Sequence, residues 1–192
     1  MNRKTQEFFS SDAYFFTEKA PYLKYSYPIS TEHKEQMGMV KEIVPPLFKV
    51  LNVFLNRVFF PFKLSIQNNK GETLVSVKRG WTFIKSKIEV FDAEDNMIAL
   101  INQHYKGLKA SYTILDAHQN LLASISGEAK TKNYAIFDDK DNRIGTITKD
   151  WAGILKEVFR KADKYALIFD PPLAVDTKKI AIAAMAITID MV

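Results

Sequence analysis

The sequence predicts a mainly β fold of the α+β class, in which a closed antiparallel barrel surrounds a buried, hydrophobic C-terminal helix. Two observations support this prediction. Strand-length segments recur in pairs joined by acidic turns, a pattern typical of consecutive antiparallel hairpins. The segment Ile180 to Ile189 is apolar on every side, so a helix formed there has to be enclosed by protein or lipid. A barrel meets both requirements, because it hides the edges of its strands and has an interior.

The composition is that of one ordinary folded domain. The chain has 192 residues, of which 47% are hydrophobic, and its 27 Lys and Arg against 22 Asp and Glu give a net charge of +5. The absence of cysteine excludes disulfides, thiolate nucleophiles and cysteine zinc ligands. We expect residues 1–20 to be a loosely ordered extension and residues 21–192 to be a single barrel domain.

The hairpin units repeat at nearly constant spacing. Their turns begin at Asp92, Asp116 and Asp138, which lie 24 and then 22 positions apart. An Asp at the start of a turn accepts hydrogen bonds from backbone amides two residues further on, and an Asn or Gly later in the turn tolerates the left-handed conformation. A degenerate copy runs from Leu64 to Val77. The three strong copies are Ile88–Asp92 with Asn96–Ile101, Tyr112–Asp116 with Asn120–Ile125, and Tyr134–Asp138 with Asn142–Ile147.

The alternation of side chains within the repeats predicts which residues face the interior. Equivalent positions point to the same face, because successive side chains of a strand alternate. On the solvent face we expect Lys85, Lys87 and Glu89. Lys130 and Lys132 share the phase of inward residues, so either a bulge re-aims them or they line the mouth of the barrel. The predicted interior positions are Val90, Ile114 and Ile136, with the small-then-large pairs Ala99 and Ile101, Ala123 and Ile125, and Gly145 and Ile147.

Further elements flank the repeats. Apolar residues recur at helical spacing from Leu47 to Val58, which predicts an amphipathic helix near 46–58. The segment Trp151 to Phe159 predicts a second, shorter helix, and Ala166 to Phe169 predicts a strand. Asp176 is a suitable N-cap for the apolar C-terminal helix.

Part of the sequence resembles a known family. The run Ile144 to Phe159, the pair Ala162 and Asp163, and the tail ending at Asp190 are similar to the phospholipid scramblase family. They also resemble the LURP-one-related proteins, which share the tubby C-terminal-like fold. The resemblance implies a tubby-like barrel of about twelve antiparallel strands around the C-terminal helix. The residues to which we assign structural roles are Asp92, Asp116 and Asp138 in the turns, with Gly145, Trp151 and Asp190 in the resembling segments.

The sequence departs from the scramblases in two respects. It has neither their lipidated cysteine cluster nor their proline-rich N-terminal region. The acidic segment that is proposed to bind calcium in scramblases is replaced by Lys161 to Asp170, where lysines and apolar side chains supply few oxygen ligands. Calcium needs at least about six such ligands, so we expect a surface loop here. Calcium binding through Asp163 and Asp170 is the alternative.

No catalytic motif is present. The sequence has no Gly-x-Ser-x-Gly elbow, no phosphate-binding loop and no histidines at metal-ligand spacing. We therefore expect a protein that is not an enzyme and uses no cofactor or metal. Asp138, Asp139 and Asp141 form an acidic cluster, which we interpret as a turn because Asp recurs at the same position of the other repeats. Trp81 is interpreted as a core anchor, with ring stacking on a ligand as the alternative.

The basic residues are the best functional candidates. Connections in a meander alternate between the two ends of a barrel, so several basic side chains converge on one face, where they would hold a phosphate by charge-assisted hydrogen bonds. Solvated lysines that discourage edge pairing are the alternative. The candidate ligand-binding residues are Lys78, Arg79, Lys85, Lys87, Lys106, Lys130 and Lys132.

These observations predict a non-enzymatic binding module that recognises anionic phospholipid head groups. One alternative is a scramblase-like, membrane-active role for the tail from Ile180, and another is a nucleic-acid-binding or transcription-linked scaffold. The sequence contains no basic run, aromatic platform or recognition helix for nucleic acid. It has no export signal within Met1 to Lys19 and no stretch of about 20 apolar residues, so we expect a cytoplasmic protein, peripheral at the membrane, without a transmembrane span.

Overall fold

Twelve antiparallel strands form a closed barrel around a C-terminal helix in the computed structural model of the chain, which confirms the predicted fold class. The structure describes residues 1–17, 26–43, 61–81, 87–106, 109–128, 130–131, 133–148 and 163–189, with the backbone alone at 17, 105, 106, 109, 163 and 164. The helices predicted near 46–58 and at 151–159 lie outside the described residues. The same is true of Lys85, Lys132, Trp151 and Asp190.

Two helices and twelve strands make up the described part of the chain. They are α1 (Arg3–Phe8), β1 (Ala13–Thr17), β2 (Ser26–Ser30), β3 (Gln36–Glu42), β4 (Phe62–Asn68), β5 (Thr73–Arg79), β6 (Lys87–Phe91), β7 (Met97–Lys106), β8 (Lys109–Asp116), β9 (Leu121–Glu128), β10 (Asn133–Asp138), β11 (Arg143–Thr148), β12 (Asp163–Phe169) and α2 (Thr177–Thr188). Each strand pairs with its neighbours in the chain, and β1 also pairs with β12, so the barrel has no free edge.

The barrel has two different ends. Five tight turns within the described residues lie at one of them, which we call the turn end, because every second connection of an antiparallel meander returns to the same side. The start of β1 and the end of β12 lie there too. We call the opposite end the far end. The five turns are Thr31–Glu35, Asn68–Glu72, Asp92–Asn96, Asp116–Asn120 and Asp138–Asn142.

The three acidic turns share one hydrogen-bonded geometry. In the turn between β8 and β9, one carboxylate oxygen of Asp116 accepts hydrogen bonds from the backbone amides of His118 and Asn120, each at 2.8 Å. The other oxygen accepts from the side-chain amide of Asn120 at 2.9 Å. The turns at Asp92 and Asp138 repeat this arrangement, so each aspartate fixes the turn that it begins.

The left-handed residue of these turns is not the asparagine that the sequence suggested. Gln119, one position earlier, has a φ of 67°, and Asp95 and Asp141 hold the same position in their turns with φ of 63° and 61°. In the degenerate copy this position is Gly71, with a φ of 78°. The turn closes between its first and fifth residues, so the fourth residue reverses the chain while the fifth bonds back to the aspartate.

The inward positions of the repeats are buried, which confirms the predicted phase of the strands. Val90, Ile114 and Ile136 are all 0% exposed, and the small-then-large pairs after the turns are buried as well. Lys87 and Glu89 are exposed on the outer face of β6. The period-2 alternation of apolar residues therefore selects the face of each strand that lines the barrel.

Gly145 has a role beyond its small size. A Cβ atom at this position would lie 2.5 Å from the carbonyl oxygen of Ile168 and 3.4 Å from the side chain of Ile136. Any other residue would push β11 away from β12, because a Cβ atom does not approach a backbone oxygen to less than about 3 Å. Glycine therefore permits the close contact of these two strands.

The C-terminal helix fills the interior of the barrel. Asp176 is its N-cap and accepts a hydrogen bond from the backbone amide of Lys179 at 3.0 Å. Every residue from Lys179 to Thr188 is buried, and α2 contacts β7, β8 and β9. Side chains alone fill a barrel of roughly eight strands, so the wider interior of this barrel needs an inner element. Four alanines keep α2 narrow enough to fit.

A buried lysine holds the start of α2, and the sequence analysis did not single it out. Lys179 is 1% exposed, and its Nζ donates to Oδ1 of Asp12 at 2.7 Å and to the carbonyl oxygen of Leu173 at 2.8 Å. Its Nζ also lies 5.2 Å from the ring centroid of Phe169. A buried ammonium is costly unless a charge and hydrogen bonds compensate it, so Asp12 ties the helix to the N-terminal segment.

Residues 1–17 differ from the loosely ordered extension that the sequence suggested. They form α1 and β1, and β1 pairs with β12 and β2 to close the barrel. Phe9 and Phe15 are 0% exposed and Tyr14 is 1% exposed. Burial also raises the pKa of the Tyr14 hydroxyl above its usual range. The apolar area of these rings stabilises the segment on the barrel.

We predict that Asp12→Ala lowers the free energy of unfolding by about 2 to 3 kcal/mol, because the Lys179 ammonium stays buried without its carboxylate. The loss is smaller than for a fully buried pair, since the Asp12 side chain is 37% exposed. Urea denaturation followed by circular dichroism measures it. Lys179→Met removes the buried charge itself and should cost less than about 1 kcal/mol. Equal losses in the two variants would contradict this role of Asp12.

The acidic turns predict how stability depends on pH. Side-chain hydrogen bonds from Asn120 and Asn142 hold the pKa values of Asp116 and Asp138 below their usual range. On acidification the unfolded state therefore binds protons first. The stability that these carboxylates contribute is complete at neutral pH and is lost as the pH falls from about 4 through their pKa values in the folded protein.

The double variant Asp116→Asn with Asp138→Asn tests this pH dependence. It keeps an acceptor at the start of each turn, as Asn68 does naturally, because Asn68 Oδ1 accepts from the backbone amides of Lys70 and Glu72 at 3.0 Å. We expect the urea midpoint of the double variant to fall less between about pH 5 and about pH 2 than that of the unsubstituted protein. Parallel curves for the two proteins would show that these carboxylates do not contribute.

Candidate functional site: a basic rim

Lys78, the first of the predicted ligand-binding residues, faces outward from β5 and is already engaged. Its Nζ donates to Oδ1 of Asp95 at 3.0 Å and lies 3.9 Å from the ring centroid of Phe91. This hydrogen bond holds the pKa of the Asp95 carboxyl below its usual range. Lys78 therefore stabilises the turn between β6 and β7, and we leave it out of the candidate site.

Arg79, the next residue of β5, points into the barrel. It is 4% exposed and shares the inward phase of Val75 and Val77. Its guanidinium carbon lies 4.6 Å from the ring centroid of Phe62. Because neighbouring residues of a strand face opposite sides, Lys78 and Arg79 do not contribute to one surface.

Lys87 and Lys130 are the predicted residues whose described side chains are exposed. Lys87 begins β6, and Lys130 lies in the turn that precedes β10. Since β10 begins only at Asn133, Lys130 is not part of the strand, and its phase needs neither a bulge nor an inward orientation. The backbone of Lys106 ends β7, but its side chain lies outside the described residues.

Two lysines that the sequence analysis missed extend this surface. Lys41 and Lys63 are exposed near the far ends of β3 and β4. The sequence contained a signal for Lys63, because a polar residue between the inward residues Phe62 and Leu64 is expected to face outward. Lys41 belongs to the hairpin of β2 and β3, whose turn at Thr31–Glu35 lacks the Asp and Asn that mark the other turns.

The exposed lysines of the far half of the barrel form the candidate site, which we call the basic rim. In the part of the chain that the structure describes, no carboxylate lies within 4.0 Å of any of their ammonium groups. At the turn end, Lys4 pairs with Glu72 at 2.5 Å and Lys178 with Asp139 at 2.9 Å. Lys70 and Lys140 at that end have no carboxylate of the described residues within 4.0 Å, but they lie in turns that contain acidic residues. The basic rim consists of Lys41, Lys63, Lys87 and Lys130.

Charge is distributed unevenly along the axis of the barrel. The segments that form the turn end carry fourteen acidic and eight basic residues. The other residues that the structure describes include four acidic and nine basic ones. Within the described part of the chain, positive charge is therefore concentrated away from the turn end. The turn-end segments are 1–12, 31–36, 68–73, 92–96, 116–120, 138–143 and 170–179.

Two large hydrophobic side chains are exposed beside the basic rim. Ile43 is 50% exposed and Trp81 is 55% exposed. The Ile43 amide donates to the carbonyl oxygen of Lys63 at 2.8 Å, and Trp81 follows the last residues of β5, so the two side chains flank β4 at the far end. The interpretation of Trp81 as a core anchor is wrong, because Arg79 takes the last inward position of β5.

The acidic alternatives do not form a cation site. Asp163 begins β12 and Asp170 follows it, so an extended strand of about 23 Å separates them and they cannot ligate one ion. Asp138 accepts hydrogen bonds from its own turn, and the hydrogen bond from Lys178 holds the pKa of Asp139 below its usual range. Among the described residues, no three His, Asp or Glu side chains are grouped to hold a metal ion.

The described helices do not provide a membrane span. α1 has 6 residues and α2 has 12, and neither is long and apolar enough to cross a bilayer.

Comparison with known proteins identifies the family. A crystal structure of a protein from Arabidopsis thaliana has the same fold, with a TM-score of 0.57 at 11% sequence identity over 95% of this chain and 93% of that chain. The sequence matches no curated protein. At this identity the structural likeness supports the fold alone. Residues 27–192 match the sequence model of the Scramblase family, which is most of the chain and confirms the resemblance found in the sequence. The chain therefore belongs to the Scramblase family.

Proposed function

We propose that the protein is a non-enzymatic, peripheral binding module for anionic phospholipid surfaces and that it contacts them through the basic rim. The observation that carries the proposal is the set of four exposed lysines that, in the described part of the chain, have no carboxylate within 4.0 Å, on a barrel whose opposite end is acidic. Membership of the Scramblase family suggests lipid association and agrees with this function.

The charge distribution also supports a definite orientation. Each Lys close to an anionic membrane contributes about 1 kcal/mol of attraction, which fades within a Debye length of about 8 Å at physiological salt. The turn end, with aspartates such as Asp92, Asp116 and Asp138, is repelled by the same surface. The barrel therefore approaches an anionic membrane with its far end first.

The alternative in which α2 enters the bilayer has less support. The helix would have to leave the barrel, which exposes both its own apolar residues and the strand residues that contact it. It would also break the pair between Lys179 and Asp12. No observation on the described residues favours the nucleic-acid alternative.

Co-sedimentation with vesicles tests the proposal. We expect the protein to sediment with vesicles that contain phosphatidylserine, not with neutral phosphatidylcholine vesicles, and to dissociate as salt is raised. Lys41→Glu with Lys87→Glu should lower the partition coefficient at least about tenfold, because attraction is replaced by repulsion at two rim positions.

A second double variant provides the matched control. Lys70→Glu with Lys140→Glu changes the net charge by the same amount, but both lysines are exposed in turns at the turn end. We expect this control to keep most of the binding. Equal losses in the two double variants would show that net charge alone acts, and no sedimentation of the unsubstituted protein would overturn the proposed function.

A further inference from the structure

We infer that Ile43 and Trp81 enter the interfacial layer of the bilayer, so that the basic rim acts on an assembled membrane and not on a soluble phosphate. The inference rests on the proposed function and adds to it the physical nature of the ligand and the depth of contact. It follows from the placement of two exposed apolar side chains among the rim lysines.

The first argument is the position of the two side chains. Ile43 is hydrogen-bonded through its amide to Lys63 of β4, and Trp81 extends beyond β5 on the other side of β4. Two strand spacings and an offset of about three residues along the strands separate the two backbone positions by roughly 14 Å. Both residues lie at the end of the barrel that the charge distribution directs toward an anionic surface.

The second argument is the chemistry of the side chains. A half-exposed isoleucine and an exposed indole contribute nothing to a phosphate ion, which needs cationic or N–H donors. A bilayer interface suits both, because it accepts apolar side chains and is a preferred location of tryptophan. Lys63 and Lys87 stand on the strands beside them and contribute attraction to acidic head groups.

The turn end provides an internal comparison. Met1, Met97 and Leu121 are also exposed, at 57%, 41% and 42%, so exposure of a large apolar residue is not by itself distinctive. Met97 and Leu121 directly follow turns that begin with Asp92 and Asp116, and Met1 lines a pocket with Asp92 and Glu94. Within the described residues, the exposed apolar side chains of the far end therefore lie among the rim lysines, whereas those of the turn end adjoin carboxylates.

Tryptophan fluorescence tests the inference, since the chain contains 2 tryptophans, Trp81 and Trp151. On binding to phosphatidylserine vesicles, the emission maximum of the unsubstituted protein should move to shorter wavelength, and lipids with brominated acyl chains should quench it. Trp81→Phe should lose the shift and the quenching that Trp81 contributes. Trp151→Phe, which leaves Trp81 as the sole tryptophan, should keep both effects, with circular dichroism as the check that each variant is folded. Inorganic phosphate at millimolar concentration should cause no shift.

A pair of serine variants measures the apolar contribution to binding. Ile43→Ser should lower the vesicle partition coefficient at least about threefold, through loss of buried apolar area. Leu121→Ser, with a similarly exposed side chain at the turn end, should leave it unchanged. Equal effects of these two variants would overturn the inference.

Sedimentation of the same samples separates the possible failures. Binding to vesicles without a Trp81 shift, or an equal shift with inorganic phosphate, would overturn the inference while the proposed function stands. Absence of sedimentation with anionic vesicles would overturn both.

Discussion

The enclosure of α2 by a closed sheet is the constraint on which the rest of the structure depends. A twelve-stranded barrel leaves an interior that strand side chains alone do not fill, and an all-apolar helix has no stable place in water, so each element needs the other. The buried Lys179 fixes which end of α2 lies at the turn end of the barrel. Its ammonium lies in the first turn of α2, where the helix dipole disfavours a cation, and Asp12 compensates for this with a hydrogen-bonded carboxylate. The N-terminal segment is thus required both to close the sheet through β1 and to hold the helix that fills it.

A closed barrel with a filled interior leaves two ends and an outer face for function. The turn end is stabilised by aspartates that accept hydrogen bonds within their own turns. Its negative charge therefore comes from residues that hold the hairpins in shape. The far end carries the exposed lysines and two exposed apolar side chains. The result is a protein with opposite charge at its two ends, which a charged surface orients before any specific contact forms. Because the core does not have to rearrange, such a protein would bind a membrane as a rigid body.

The sequence was most informative where one local rule determines the structure. Alternation placed Val90, Ile114 and Ile136 in the interior, and the recurrence of Asp located three hairpins, because both signals act within a few residues. Contacts that join distant segments left no such pattern. In the sequence, Lys179 is one of several polar residues at the start of a helix. Its role becomes clear only in the folded protein, where Asp12, 167 positions away in the sequence, accepts its hydrogen bond. The hairpin of β2 and β3 escaped notice because its turn uses Thr31 and Glu35 in place of Asp and Asn. Lys78 and Arg79 are consecutive residues of β5, so their side chains point to opposite faces of the sheet. Grouping the basic residues by their positions in the sequence did not take this alternation into account.

The central claim is that the protein acts with α2 in place, as a filled barrel that meets the membrane at its far end. Hydrogen exchange of the amides from Ile180 to Ile189, measured by mass spectrometry with and without phosphatidylserine vesicles, tests this claim most directly. The account predicts strong and equal protection of these amides in both conditions, since the helix stays enclosed. Faster exchange of the α2 amides on vesicle binding, with the barrel strands exposed at the same time, would show that the helix leaves the barrel and would contradict the account.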